Sequence, residues 1–206
     1  SHIKALYDSC PGLQVIFSGS SILQLHEQDG DLSRRVILYS LHGLSFREFL
    51  LFELGLSLPI LGLEDILQDH LGTAQDISSQ LRPLEHFENY LRYGYYPFFL
   101  EGKDVYGLKL ANVISQVLET DLPMARHISF HQVHKLKKLV TFLAENVPSQ
   151  VNIQKLSTLT EISRPSVYEY LESLSQARLL NLIRHPGAGY KKLSKPDKIY
   201  LENPNL

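Results

Sequence analysis

The apolar positions change their period along the chain. Leu13-Gln-Val-Ile-Phe17 is a short β-prone run that ends in Ser18-Gly19-Ser20-Ser21 and then turns into a helical stretch, Ile22 to Gln28. A fully apolar strand expects both faces covered and its edges paired, so its sheet partners are expected upstream or in a neighbouring copy. Val36 to Tyr39 is a second short strand candidate. Ser45, with Glu48 three residues on, has the spacing of a capping box and opens a helix over Phe46 to Leu54.

From Leu63 onward the pattern is helical. Leu63, Ile66, Leu67 and Leu71 are spaced for one helix face, and Leu84, Phe87 and Leu91 for another. Asp104 to Leu122 carries Val105, Leu108, Ala111, Val113, Ile114, Val117 and Leu118, and Pro123 is expected to stop it, because proline cannot continue the backbone ladder. His131 to Asn146 follows as a further helix, and Pro148-Ser149-Gln150 is the best linker candidate. Beyond it, Asn152 to Leu159 predicts a short helix, Ile162-Ser163-Arg164-Pro165 a turn, and Ser166 to Ala177 a second helix with Val167, Tyr170, Leu171 and Leu174 inward. Pro165 is tolerated in a first turn, and Ser163 or Arg164 lies at the cap. A strand at Leu179 to Ile183, a Gly187-Ala-Gly189 tip and the Lys198 to Leu201 run complete a hairpin, so the module reads as helix-turn-helix plus wing.

Composition narrows the function classes. The 206 residues are 44% hydrophobic, enough for one large or two small domains. With a net charge of -2, no global field draws the chain to nucleic acid or membrane, so any such site must be local. The single cysteine, Cys10, excludes an internal disulfide framework and a cysteine-only metal site, which suits a cytoplasmic location. No run of about 18 apolar residues occurs, so no membrane span is expected. The opening Ser1-His2-Ile3-Lys4 is not a signal peptide and reads as a chain cut within a fold.

Val15-Ile-Phe-Ser-Gly-Ser-Ser-Ile22, Asp31-Leu-Ser-Arg-Arg35 and Leu44-Ser-Phe-Arg-Glu-Phe49, in this order and spacing, resemble a large family of prokaryotic AAA-superfamily ATPases. In that family a phosphate-binding loop and an acidic metal strand precede a strand ending in Gly-Ser-Ser, then a Gly-Arg element, then Leu-Ser-Phe-x-Glu. The first two parts have no counterpart here. Tyr93-Gly94-Tyr95-Tyr96-Pro97 resembles the Gly-Gly-Tyr-Pro element of the family's C-terminal domain of unknown function, and Asn152 to Leu174 with Lys198 to Leu201 resembles its winged helix. Two positions depart from the pattern: Arg34 stands where the family has glycine before its arginine, and Tyr93 stands in place of the first Gly of Gly-Gly-Tyr-Pro.

The resemblance implies roles. Ser18, Ser20 and Ser21 correspond to the turn beside the γ-phosphate, and Arg35, with Arg34 as the alternative, to an arginine that reaches a neighbour's nucleotide and stabilises charge on the transferred phosphoryl group. Read from the residues alone, the serines are equally a cap for the following helix, and Arg34-Arg35 a solvated turn. Hydrolysis needs a lysine-bearing phosphate loop and a magnesium carboxylate, and Gly189-Tyr-Lys-Lys-Leu-Ser194 lacks the required glycines. ATP and Mg are therefore expected only in an intact parent that supplies an N-terminal ATPase segment, and no activity is expected of this chain alone.

Over residues 151–201, eight cations (Lys155, Arg164, Arg178, Arg184, Lys191, Lys192, Lys195, Lys198) face four acids (Glu161, Glu169, Glu172, Asp197), an excess of four positive charges. Arg164, Ser166 and Tyr168 would meet a DNA groove and Lys191, Lys192 and Lys195 its phosphates. Glu169 and Glu172 on the same helix oppose that and favour a winged helix that packs within the protein or docks a partner. His127, His131 and His134 have spacing suited to one helical face, but no cysteine or carboxylate completes a zinc set, and Lys135, Lys137 and Lys138 repel a cation. The tyrosines 90, 93, 95 and 96 with Phe98 and Phe99 read as a core or domain interface.

The expected fold is mainly α with a small α/β remnant: residues 1–55 as the C-terminal part of an AAA-type core, 56–148 as a helical subdomain, and 149–206 as a winged helix. An unpaired strand edge predicts a homo-oligomer. The competing expectation is a stand-alone winged-helix module acting on DNA or a partner.

Overall fold

The structure is a computed structural model, described here for residues 2–10, 12–18, 37, 39–146, 151–184 and 196–206. Within these residues the chain is mostly helical with one two-stranded sheet. It divides into two compact units: Leu41–Ala111 with Asn203–Asn205, and Ser1–Ser40 with Asn112–Glu202 and Leu206.

In the first of these units, α2 (Phe46–Leu54) starts as its sequence dictates. The Glu48 carboxylate accepts the Ser45 N–H at 2.8 Å while the Ser45 hydroxyl accepts the Glu48 N–H at 3.3 Å. The Ser45 hydroxyl also donates to the Glu48 carboxylate at 2.7 Å, and this bond first, with the Ser45 N–H second, holds the Glu48 carboxyl below its ordinary value. The helix ends at Gly55, whose φ of 69° is the left-handed cap that glycine adopts without Cβ strain. Helix α3 (Leu63–Gln80) forms where the period requires it but breaks at Asp69 (φ -145°), whose carboxylate caps the second half by accepting the Gly72 N–H at 3.0 Å. Although its apolar stripe is amphipathic, no residue of α3 is buried, and Leu63 and Leu71 stay about two-thirds exposed.

Helix α4 (Pro83–Tyr93) opens on a proline and ends at Gly94. A Cβ at Gly94 would lie 2.7 Å from the Tyr90 Cα and 2.9 Å from the Phe49 ring, so the chain approaches too closely there for a side chain. Phe49, fully buried, meets Tyr90 and Phe99 at centroid distances of 5.7 and 5.0 Å, and Phe46 joins Phe87 edge-on. A 3₁₀ turn, Pro97–Glu101, leads to α5 (Tyr106–Gln116), where Tyr106 and Leu110 close this aromatic core.

The second unit has one continuous core. A π-turn, Val117–Asp121, links α5 to the five-residue α6 (Leu122–Arg126), then come α7 (Phe130–Glu145), α8 (Ile153–Thr160), α9 (Arg164–Gln176) and the antiparallel pair β1 (Leu180–Ile183) and β2 (Lys198–Leu201). Leu122, Leu136, Leu139, Val167, Leu171, Leu174 and Leu180 are essentially inaccessible to solvent and share one cluster with Ile153, Leu156 and Ile199. Each such aliphatic side chain contributes about 1.5–3 kcal/mol by leaving water. α1 (His2–Ser9) belongs to the same unit.

Two sequence expectations are corrected. Leu13–Phe17 is not a strand: residues 13–18 lie in no regular element, and Ile16 is fully exposed. An apolar strand is stable only between neighbours, and the described residues offer it none. Pro123 does not stop its helix. The Leu122 N–H reaches back five residues to the Val117 carbonyl, so the turn is already widened before proline enters, and Pro123 sits in the first turn of α6, where a missing N–H costs nothing. The stop comes at His127, a left-handed residue (φ 51°) whose N–H returns to the Pro123 carbonyl. The predicted helix Ile22 to Gln28, two of the four residues of the strand candidate Val36 to Tyr39, the linker 148–150 and the wing tip at residues 187–189 lie outside the described residues.

Candidate functional site

Helices α8 and α9 are set by their caps. The Asn152 side chain accepts the Lys155 N–H at 3.0 Å and starts α8. Glu161, left-handed at φ 56°, ends it, and the Ser157 hydroxyl donates to the Ile162 carbonyl at 2.6 Å, tying the turn to the helix it leaves. Ser163 is the cap of α9: its hydroxyl accepts the Ser166 N–H at 3.3 Å, and Pro165 occupies the first turn. Val167, Tyr170, Leu171 and Leu174 all point into the core, as their spacing predicts. Burial first, and Glu169 second, raise the Tyr170 phenol above its ordinary value.

The outer side of α9 carries the candidate contacts. Arg164 and Tyr168, four residues apart, share an exposed face. Ser166 differs: it is half-buried, and its hydroxyl lies 2.8 Å from that of Ser163, so it serves the cap. Glu169 and Glu172 are exposed on the same helix, and Glu172 is paired with Arg184 from the end of β1. Arg178 pairs with Glu202, so two of the module's cations already have acidic partners. Lys198 stands exposed on β2. Along α7 and α8 runs a groove of about 480 Å³ lined by His134, Lys137, Lys138, Phe142 and Leu159.

Of the residues implicated in phosphate chemistry, Ser18 is exposed and outside any regular element. Ser20, Ser21 and Arg35 lie outside the described residues, as do the wing lysines Lys191, Lys192 and Lys195. His127 sits at the end of α6, with His131 and His134 on α7, and among the described residues no group of three or more His, Cys, Asp or Glu comes together to hold a metal ion. No described helix is long and apolar enough to cross a membrane.

The tyrosine-rich segment forms a polar network inside the 41–111 unit that the sequence did not announce. Tyr90 donates to the Leu44 carbonyl at 2.9 Å, and the Leu44 N–H donates to the Tyr95 carbonyl at 2.7 Å. The Tyr106 hydroxyl donates to Asn205 Oδ1 at 2.6 Å, and Asn203 Nδ2 donates to the Tyr96 hydroxyl at 3.1 Å. Burial pushes the Tyr106 phenol up to about 12. Asn203 and Asn205 were missed because Asn-Pro-Asn reads locally only as a turn.

Residues 84–206 match the family described as "Domain of unknown function (DUF8612)", more than half of the chain, and the chain belongs to that family. Residues 1–50 match the model of an AAA domain, so an ATPase-like region precedes it. An uncharacterized protein of Methanocaldococcus jannaschii is 27% identical over 202 residues, covering 96% of this chain and 42% of that protein. The chain thus spans about two fifths of the length of the curated relative it matches. No solved structure matches.

Proposed function

We propose that this chain is the rear part of an AAA-type ATPase whose C-terminal module is a winged helix that docks a partner protein. The observation that carries the reading is the order of the two matches: an AAA domain over residues 1–50 and, behind it, a family domain ending in two capped helices and a hairpin. In this reading residues 1–55 close the ATPase core, 56–148 form a helical subdomain, and 149–206 form the winged helix. ATP and Mg²⁺ are held by a preceding segment of the parent protein. Ser18, Ser20 and Ser21 sit beside the γ-phosphate, and Arg35 offers its guanidinium to a neighbouring copy's nucleotide in a homo-oligomer. A parent that hydrolyses ATP normally with Ser20, Ser21 and Arg35 all replaced by alanine contradicts these roles.

Docking of protein is favoured by the exposed side of α9, where Arg164 and Tyr168 stand with Glu169 and Glu172. Arginine and tyrosine anchor protein interfaces, whereas carboxylates repel phosphates. Binding of DNA is the second reading, supported by the excess of four positive charges over residues 151–201 and by Lys191, Lys192 and Lys195. Fluorescence anisotropy with a random duplex across a salt series separates the two. Protein docking predicts no binding at low salt, whereas micromolar binding that weakens with salt and vanishes in a K191E/K192E/K195E chain assigns the module to DNA.

A further inference from the structure

The Asn205 side chain uses every hydrogen-bonding site it has. Oδ1 accepts the Tyr95 N–H at 2.8 Å and the Tyr106 hydroxyl at 2.6 Å, while Nδ2 donates to the carbonyls of Tyr90 at 3.2 Å and Leu91 at 2.7 Å. The orientation of the amide is fixed by chemistry, because a backbone N–H only donates and a carbonyl only accepts. Both carbonyls belong to the last turn of α4; that of Tyr90 also accepts the Gly94 N–H at 2.8 Å, and Asn205 caps that of Leu91 from over a hundred residues away. Asn203, almost fully buried, supports it: its Oδ1 accepts the Asn205 N–H at 3.0 Å, and its Nδ2 reaches Tyr96.

We propose that the end of α4, the Tyr95 backbone and Tyr106 form a carboxamide-recognition site, and that the chain's own Asn203–Asn205 segment fills it as a strap on which the order of the 41–111 unit depends. Two donors and two acceptors converge on one planar group, which only a primary carboxamide satisfies. An aspartate has the same shape, but it turns an oxyanion toward the Tyr90 and Leu91 carbonyls. β2 ends at Leu201 and the strap begins at Asn203, with Glu202 between them, its N–H bonded to the Leu179 carbonyl and its carboxylate paired with Arg178.

Hydrogen-exchange mass spectrometry on the full chain tests this, comparing wild type with Asn205→Ala and Asn205→Asp. The strap predicts at least tenfold faster exchange over residues 89–96 in both variants at pH 7, with α9 unchanged. It also predicts that, after correction for intrinsic rates, Asn205→Asp regains protection at about pH 3.5, below the ordinary aspartate value near 3.9, where a protonated carboxyl again donates to a carbonyl, while Asn205→Ala does not. Should Asn205→Ala lose protection in both units, the pH-dependent recovery confined to Asn205→Asp still decides for the site. Wild-type exchange over 89–96 in both variants, or an Asn205→Asp chain indifferent to pH, overturns it.

Discussion

Alkaline titration of Tyr106 isolates one buried hydroxyl. Its pKa rises from 10.0 to about 12, chiefly because burial disfavours the phenolate. A raised folded value means that the unfolded chain gives up its proton first. The stability linked to Tyr106 is therefore fully present below pH 10 and is lost as the pH climbs through 12. At pH 11 the unfolded phenol is mostly ionised and the folded one mostly protonated, which removes about 1.4 kcal/mol. Tyr106→Phe eliminates this linkage while leaving Tyr90 and Tyr170, also raised by burial, in both chains, so their contributions cancel. The assay is urea unfolding followed by near-UV tyrosine dichroism at pH 8 and pH 11. Tyr106→Phe should be less stable by about 0.5–1.5 kcal/mol at pH 8, since Asn205 Oδ1 keeps only the Tyr95 N–H. Between pH 8 and 11 it should lose about 1.4 kcal/mol less than wild type. Equal losses in the two chains would refute the buried, neutral phenol.

Leu171→Ala removes an essentially inaccessible side chain from the center of the α9 core and should cost about 2–5 kcal/mol in urea unfolding. Ser163→Ala takes the hydroxyl from the start of α9 and should cost about 0.5–2 kcal/mol, read from the same transition. Gly94→Ala forces a Cβ against the Tyr90 backbone and Phe49, so it should lower the melting temperature even though alanine is the better helix former. Glu48 is held below its ordinary value by Ser45, so its contribution is present above an unfolded pKa near 4.5 and is lost as the pH falls; Glu48→Gln should flatten the acid limb of the stability curve.

What was legible in the sequence was local. Ser45 and Glu48 declare a capping box within four residues, and Val167, Tyr170, Leu171 and Leu174 declare an inward face within two turns. The hairpin strands were legible because β-prone runs flank a glycine-rich tip, and they pair in register from Leu180 with Leu201 to Ile183 with Lys198. Features that depend on distant partners were not. Leu13–Phe17 has strand composition, yet a strand exists only with neighbours. Pro123 is compatible with a helix only because the preceding turn is widened, which no single-residue propensity encodes. The bonds of Asn205 to Tyr90, Leu91, Tyr95 and Tyr106 span about a hundred residues, and nothing in Asn-Pro-Asn names those partners. At the candidate site, Arg164 and Tyr168 lie on one exposed face, while Ser166 is half-buried beside the Ser163 cap.

ATP hydrolysis by the full-length parent most directly tests the proposed function, in which a nucleotide-binding segment precedes this chain. Steady-state phosphate release is measured for that protein and for its Ser20→Ala/Ser21→Ala/Arg35→Ala form, with matching melting temperatures as the check on folding. An arginine that stabilises the transferred phosphoryl group is worth roughly a thousandfold or more, so the triple variant should fall by about that factor. Hydrolysis at the wild-type rate would contradict the assignment of these residues, and no hydrolysis by either form would contradict the ATPase itself.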